Sequence, residues 1–193
     1  MKILITSIVA VALTMQANAT LFQLDIQGLA GFGLLPGNEP GSVTGGTGGE
    51  IGSGITYDDI TNILDLTNVG WGSSQGFTDL SSLANNFHIH GPTANANGNG
   101  FTQTAGVLFN LGLTSTAVTG GTFNSPIVDL DTIFGVNVET REAELLDGRW
   151  YINIHTVNNG GGEIRGFLTV PEPTSIGLLG LGTCALGLIR RRK

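Results

Sequence analysis

Apolar and polar positions alternate along most of this chain in short runs separated by glycine, asparagine and proline, and that period of two predicts β-strands. In Leu21–Gln27 the residues Phe22, Leu24 and Ile26 alternate with Gln23, Asp25 and Gln27, the pattern of a half-buried strand. Further strands are predicted at 54–59 and 61–69. In the second of these, Ile63, Asp65, Thr67 and Val69 face away from Leu64, Leu66 and Asn68. Phe87–Pro92, Ala105–Leu113 and Pro126–Phe134 carry the next apolar runs. Trp150–Thr156 and Glu163–Val170 close the domain as a hairpin around the loose loop 157–162. Between these, 31–54 is a long connection rich in Gly, Ser, Thr and Pro, and 71–84 is a loop offering Trp71, Phe77, Leu80 and Leu83 to a core. Only Glu139–Asp147, built of good helix formers and stopped by Gly148, reads as a short helix. The pattern as a whole predicts an all-β, antiparallel β-sandwich with that one helix.

Both ends of the chain break this pattern. Met1–Ala19 has a lysine at position 2, an apolar run from Ile3 to Met15 and the small-residue sequence Ala17-Asn18-Ala19, the layout of a cleavable signal peptide. At the other end, Pro171-Glu172-Pro173 precedes an apolar, glycine-rich run over 174–189 and the cluster Arg190-Arg191-Arg192-Lys193. As a helix that run is roughly 24 Å long, enough to cross a bilayer with some thinning, and the basic cluster holds its end on the cytoplasmic side. The order Pro171-Glu172-Pro173, short apolar helix, Arg190, Arg191 and Arg192 resembles the PEP-CTERM sorting signal of exopolysaccharide-producing Gram-negative bacteria. The resemblance implies cutting near 171–173 by an exosortase-type membrane protease and delivery to the cell surface or beyond. Three segments are thus expected: a leader at 1–19, a domain at 20–170, and a sorting tail at 171–193.

Charge narrows the partners of the domain. Between Thr20 and Val170 stand fourteen acidic residues and only three basic ones, Arg141, Arg149 and Arg165, so phosphate backbones are repelled and nucleic acid is not an expected partner. Cations, neutral polysaccharide and other surface proteins remain open as partners. The single cysteine, Cys184, lies in the apolar tail, so the exported domain depends on its core without a disulfide. The domain contains no cysteine nucleophile and no phosphate loop with its lysine, and the acid pairs Asp58-Asp59 and Asp129/Asp131 follow no calcium-loop pattern.

The remaining chemistry is concentrated. Two of the three histidines lie in Phe87-His88-Ile89-His90-Gly91-Pro92, and the third in Tyr151–Phe167, which reads YINIHTVNNGGGEIRGF. Side-chain alternation places His88 with His90, and Tyr151 with Asn153 and His155, on faces opposite the isoleucines. Glu163, Arg165 and Phe167 are expected on the histidine face as well. If the two stretches are neighbours, two roles are open. One is a structural hydrogen-bonded and ionic network that includes Glu163 and Arg165. The other is a Zn or Cu site on His88, His90 and His155, with Glu163 as a further ligand. Trp71, Trp150 and Tyr151 are a third option, as platforms for sugar rings.

The same residues carry a family resemblance. Phe87–Pro92 with its following turn and apolar strand, and then Trp150–Thr156 with Gly161-Gly162-Glu163-Ile164-Arg165-Gly166, resemble the CHRD domain first described in chordin; Leu34–Pro40 fits its early part. This implies an immunoglobulin-like or superoxide-dismutase-like sandwich over about 22–170. Chordin's growth-factor partner does not transfer. The resulting expectation is an exported, non-catalytic surface or matrix protein without a required cofactor, associated with exopolysaccharide; the rival is a metal-binding protein or metal-dependent enzyme built on the three histidines.

Overall fold

A computed structural model describes residues 20–112 and 118–171. The predicted leader and the helix over 174–189 lie outside them. Among the described residues, no helix is long and apolar enough to cross a membrane.

The chain begins with β1 (Leu21–Gly28) and the short β2 (Gly31–Phe32), followed by β3 (Gly48–Glu50), β4 (Ile55–Asp58), β5 (Ile63–Asp65) and β6 (Val69–Trp71). Next come β7 (Ala84–His90), β8 (Val107–Asn110), β9 (Gly121–Thr122) and β10 (Ile127–Asp129). Helices α1 (Leu130–Phe134) and α2 (Val138–Leu146) precede the final hairpin, β11 (Tyr151–Thr156) and β12 (Ile164–Thr169). Strands β10-β5-β4-β1-β12-β11-β7-β8 form one curled antiparallel sheet, with β2 attached to β1, and β3-β6-β9 form a small second sheet. The predicted all-β antiparallel architecture is therefore the fold: a half-barrel with a small sheet packed over its hollow.

Alternation explains the hollow. Leu24 and Ile26 of β1, Ile55 and Tyr57 of β4, Phe87 and Ile89 of β7, Ile152 and Ile154 of β11, and Ile164 and Leu168 of β12 all turn to one face and are buried. Trp71 of the small sheet closes on them, its ring 4.9 Å from Phe87 and 5.1 Å from Phe123. Burying a large side chain of this kind contributes about 1.5–3 kcal/mol, so these strands supply the stability that a disulfide-free domain requires.

Two expected strands are interrupted, for local reasons. The run 61–69 splits because Asp65 Oδ1 accepts the Thr67 N–H at 2.8 Å and turns the chain between β5 and β6. The run 126–134 changes from β10 to α1 because Asp129 caps the helix, accepting the Thr132 N–H at 3.0 Å. The expected helix forms as α2.

The outer face of β11 and β12 is also buried, every residue of both strands being covered. Two straps cover it. One is the 3₁₀ turn Pro36–Asn38 with Glu39, and the other is the segment 101–105. Gly166 makes room for β1 and for the chain that leads into the first strap: a Cβ there would lie 2.3 Å from Ile26 Cγ2 and 2.7 Å from the Gly33 carbonyl. Leu35 can then pair with Arg165, where β1 has already bent away.

Candidate functional site

The histidines meet because β7 and β11 are antiparallel neighbours. The register pairs Asn153 with His88, Tyr151 with His90 and His155 with Asn86, which brings all three imidazoles to the outer face of the sheet. His155 is buried, and His88 and His90 are half-buried. Their ligand nitrogens lie within 4.8 Å of one another, and His88 Nδ1 is 3.1 Å from His155 Nε2. The His90 ring lies parallel to the Tyr151 ring, 5.0 Å between centroids.

Backbone carbonyls set the tautomers. His90 Nδ1 is 2.9 Å from the Ala105 carbonyl and His155 Nδ1 is 3.0 Å from the Gly160 carbonyl. A carbonyl oxygen only accepts, so both Nδ1 atoms carry a proton, and in the neutral rings both Nε2 atoms carry a lone pair. His155 Nε2 accepts from His88 Nδ1, while His90 Nε2 is buried without a hydrogen-bond partner among the described residues. Burial pushes all three pKa values down. His88, further lowered by His155 and His90, falls to about 4, so the triad is neutral at pH 7.

Glu163 and Arg165 do not join the triad. Glu163 lies just before β12, where a bend carries its carboxylate toward the Thr156 side, away from the histidines. There it accepts from the Gly46 N–H at 2.9 Å, the Ser81 N–H at 2.6 Å and hydroxyl at 2.7 Å, the Thr156 hydroxyl at 2.7 Å, and Asn159 Nδ2 at 3.1 Å. Burial alone would raise its pKa, but these bonds hold it below the usual value. The carboxylate ties the hairpin loop to two other loops and is not a fourth metal ligand. The bend also explains the departure from alternation: a period of two applies only once the chain is in the strand.

Arg165 does share the histidine face, but its partners are backbone oxygens. The fully buried guanidinium donates from Nε to the Asn38 carbonyl, from Nη1 to the Gln103 carbonyl at 3.0 Å and from Nη2 to the Phe101 carbonyl at 2.8 Å. It lies over the Tyr151 and Phe167 rings, with Glu39 Oε2 3.8 Å from Nε. One side chain thus fastens both straps to the sheet. Asn38 completes the clasp, donating to the Arg165 carbonyl at 2.9 Å. Burial, partly offset by Arg165, raises the Glu39 pKa to about 7. Neither Asn38 nor Glu39 has a periodic signal in the sequence; both sit in turn-forming residues. The carbonyls that Arg165 uses belong to the backbone and leave no mark in the sequence. Trp71, Trp150 and Tyr151 are fully buried and cannot serve as sugar platforms.

A family model described as the CHRD domain matches residues 10–168, and one described as the PEP-CTERM protein-sorting motif matches residues 169–193. No curated protein and no solved structure matches the chain.

Proposed function

The chain belongs to the CHRD domain family and is exported and sorted by an exosortase through its PEP-CTERM tail, and from that premise we propose that it is a non-catalytic component of the cell surface or extracellular matrix, associated with exopolysaccharide. The observation that carries this reading is the junction between domain and tail: the sorting motif begins at Thr169, the last residue of β12, and β12 lies in the middle of the main sheet between β1 and β11. A cut at 171–173 leaves every described strand in place, so the processing that releases the tail delivers a finished sandwich. Before that cut, the tail holds the chain transiently in the membrane.

With the indoles buried, contact with a neutral polysaccharide falls to other groups. Leu29 and Phe32, 71% and 72% exposed at the β1–β2 turn, form one exposed apolar pair. Leu29 borders a cavity of about 280 Å³ whose lining includes Asn38, Thr102 and Arg165. Phe32 is paired across the turn with Gln27, and an exposed aromatic beside a polar side chain suits the apolar face and the hydroxyls of a sugar ring.

The test uses the mature protein shed by producing cells. It should co-sediment with exopolysaccharide, leave the pellet when the polysaccharide is degraded, and bind more weakly as Phe32→Ser. Mature protein that remains soluble beside purified exopolysaccharide would refute the association.

A further inference from the structure

The histidine triad has features that the surface role does not use. His90 Nε2 is a buried acceptor with no hydrogen-bond partner among the described residues, and leaving such a group unmatched costs about 1–3 kcal/mol. His90 and His155 both have Nδ1 held on backbone carbonyls, of Ala105 and Gly160, which fixes the rings with the Nε2 lone pair turned away from the backbone, unpartnered in His90 and facing His88 Nδ1 in His155. Imidazoles that ligate metals are commonly held in this way, with the second nitrogen bound to a carbonyl or carboxylate. The third ring, His88, already stands with Nδ1 3.1 Å from His155 Nε2.

We propose that His88 Nδ1, His90 Nε2 and His155 Nε2 form a binding site for a transition-metal dication of the zinc or copper class. The donor set selects the class: three neutral imidazole nitrogens suit these borderline ions, whereas calcium and magnesium require oxygen ligands. The carboxylate of Glu163, just before β12, is turned to the other side of the sheet and saturated by its own donors. The acidic surface of the domain raises the local concentration of any cation.

The geometry needs only a small adjustment. Metal–nitrogen bonds of about 2.0–2.1 Å place tetrahedral ligand nitrogens roughly 3.4 Å apart. The His88–His155 pair is close to that spacing, and the widest separation in the triad, within 4.8 Å, contracts by at most roughly 1.4 Å. His88 can supply that movement, because its ring is half-buried and, unlike the other two, is not held on a backbone carbonyl. Its Nδ1 proton shifts to Nε2 as the cation takes the proton's place between the rings. The ion is then tied through His155 and Gly160 to the loop 157–162, which stiffens when the site fills.

The site is independent of the exopolysaccharide reading and is tested separately. Full-length chain purified in detergent and stripped with chelator is titrated with zinc chloride, copper(II) chloride and, as a control, calcium chloride. We expect one equivalent of zinc or copper per chain, undisturbed by excess calcium, with the affinity at least about tenfold weaker in His88→Gln and in His90→Gln. Nitrogen-15 NMR of the wild-type imidazoles requires no variant: zinc should shift His90 Nε2, His155 Nε2 and His88 Nδ1. Folded wild-type chain that takes up no stoichiometric zinc or copper would overturn the proposal, as would uptake that leaves all three ring nitrogens unshifted.

Discussion

Glu39 shows how far one side chain can depend on its surroundings. It is 7% exposed, one carboxylate oxygen has no hydrogen-bond partner among the described residues, and Arg165 only partly offsets the burial that raises its pKa from 4.5 to about 7. Between those two values the folded state holds a proton that the unfolded chain has lost, so this residue makes stability fall as pH rises from 4.5 to 7. His88, lowered from 6.5 to about 4, acts in the opposite sense: its contribution is present above 6.5 and is lost as pH falls toward 4. The two trends overlap in the wild-type melting curve, and a difference experiment separates them. Glu39→Gln should gain stability relative to wild type as pH rises from 4.5 to 7, by on the order of 2–3 kcal/mol, and change little more above that. A gap that stays constant across the range, measured by urea denaturation, would mean that Glu39 is ionised throughout. None of this was legible in the sequence, where Glu39-Pro40-Gly41 reads as turn material. The alternation that joined His88, His90 and His155 was legible, because all three lie within regular strands.

At the level of elements, the strand faces followed from period-two patterning, whereas the straps did not. Leu35–Glu39 and 101–105 have no periodicity of their own and are placed by what they cover. Gly166 is the position where β12, β1 and the chain entering the first strap have to agree, since its missing side chain leaves room for both Ile26 and the Gly33 carbonyl. Gly166→Ala should therefore destabilise the fold by about 1–3 kcal/mol or more, because one of the obstructing atoms is backbone and cannot rotate aside. Calorimetry would reveal this as a lower melting temperature, and an unchanged melt would show that β1 or the strap can shift at no cost. The α1 helix was within reach of sequence reasoning: Asp129 three residues before Thr132 is a capping signal, hidden by the apolar run of Ile127, Val128 and Leu130 around it. Asp58 is used in a similar way, accepting the Ile60 and Thr61 N–H groups at 2.9 Å each. These acids serve as local caps.

For the whole molecule, domain and tail are separable by construction. The described sheet ends at Thr169, and the motif that directs cutting begins there. Chain cut at 171–173 should therefore melt at the same temperature as uncut chain in the same detergent; a drop of more than a few degrees would show that the tail takes part in the fold. The exported domain has no disulfide to hold a loosened segment against proteolysis. Proteases cut extended chain, so the exposed risk lies in segments that peel away while the remainder stays folded. The Arg165 clasp joins the two straps most able to peel. Lifting either one strips a buried guanidinium of carbonyl partners, a cost of about 3–5 kcal/mol. Local opening of the straps is suppressed by that amount, and with it the cutting of the folded domain at its loops.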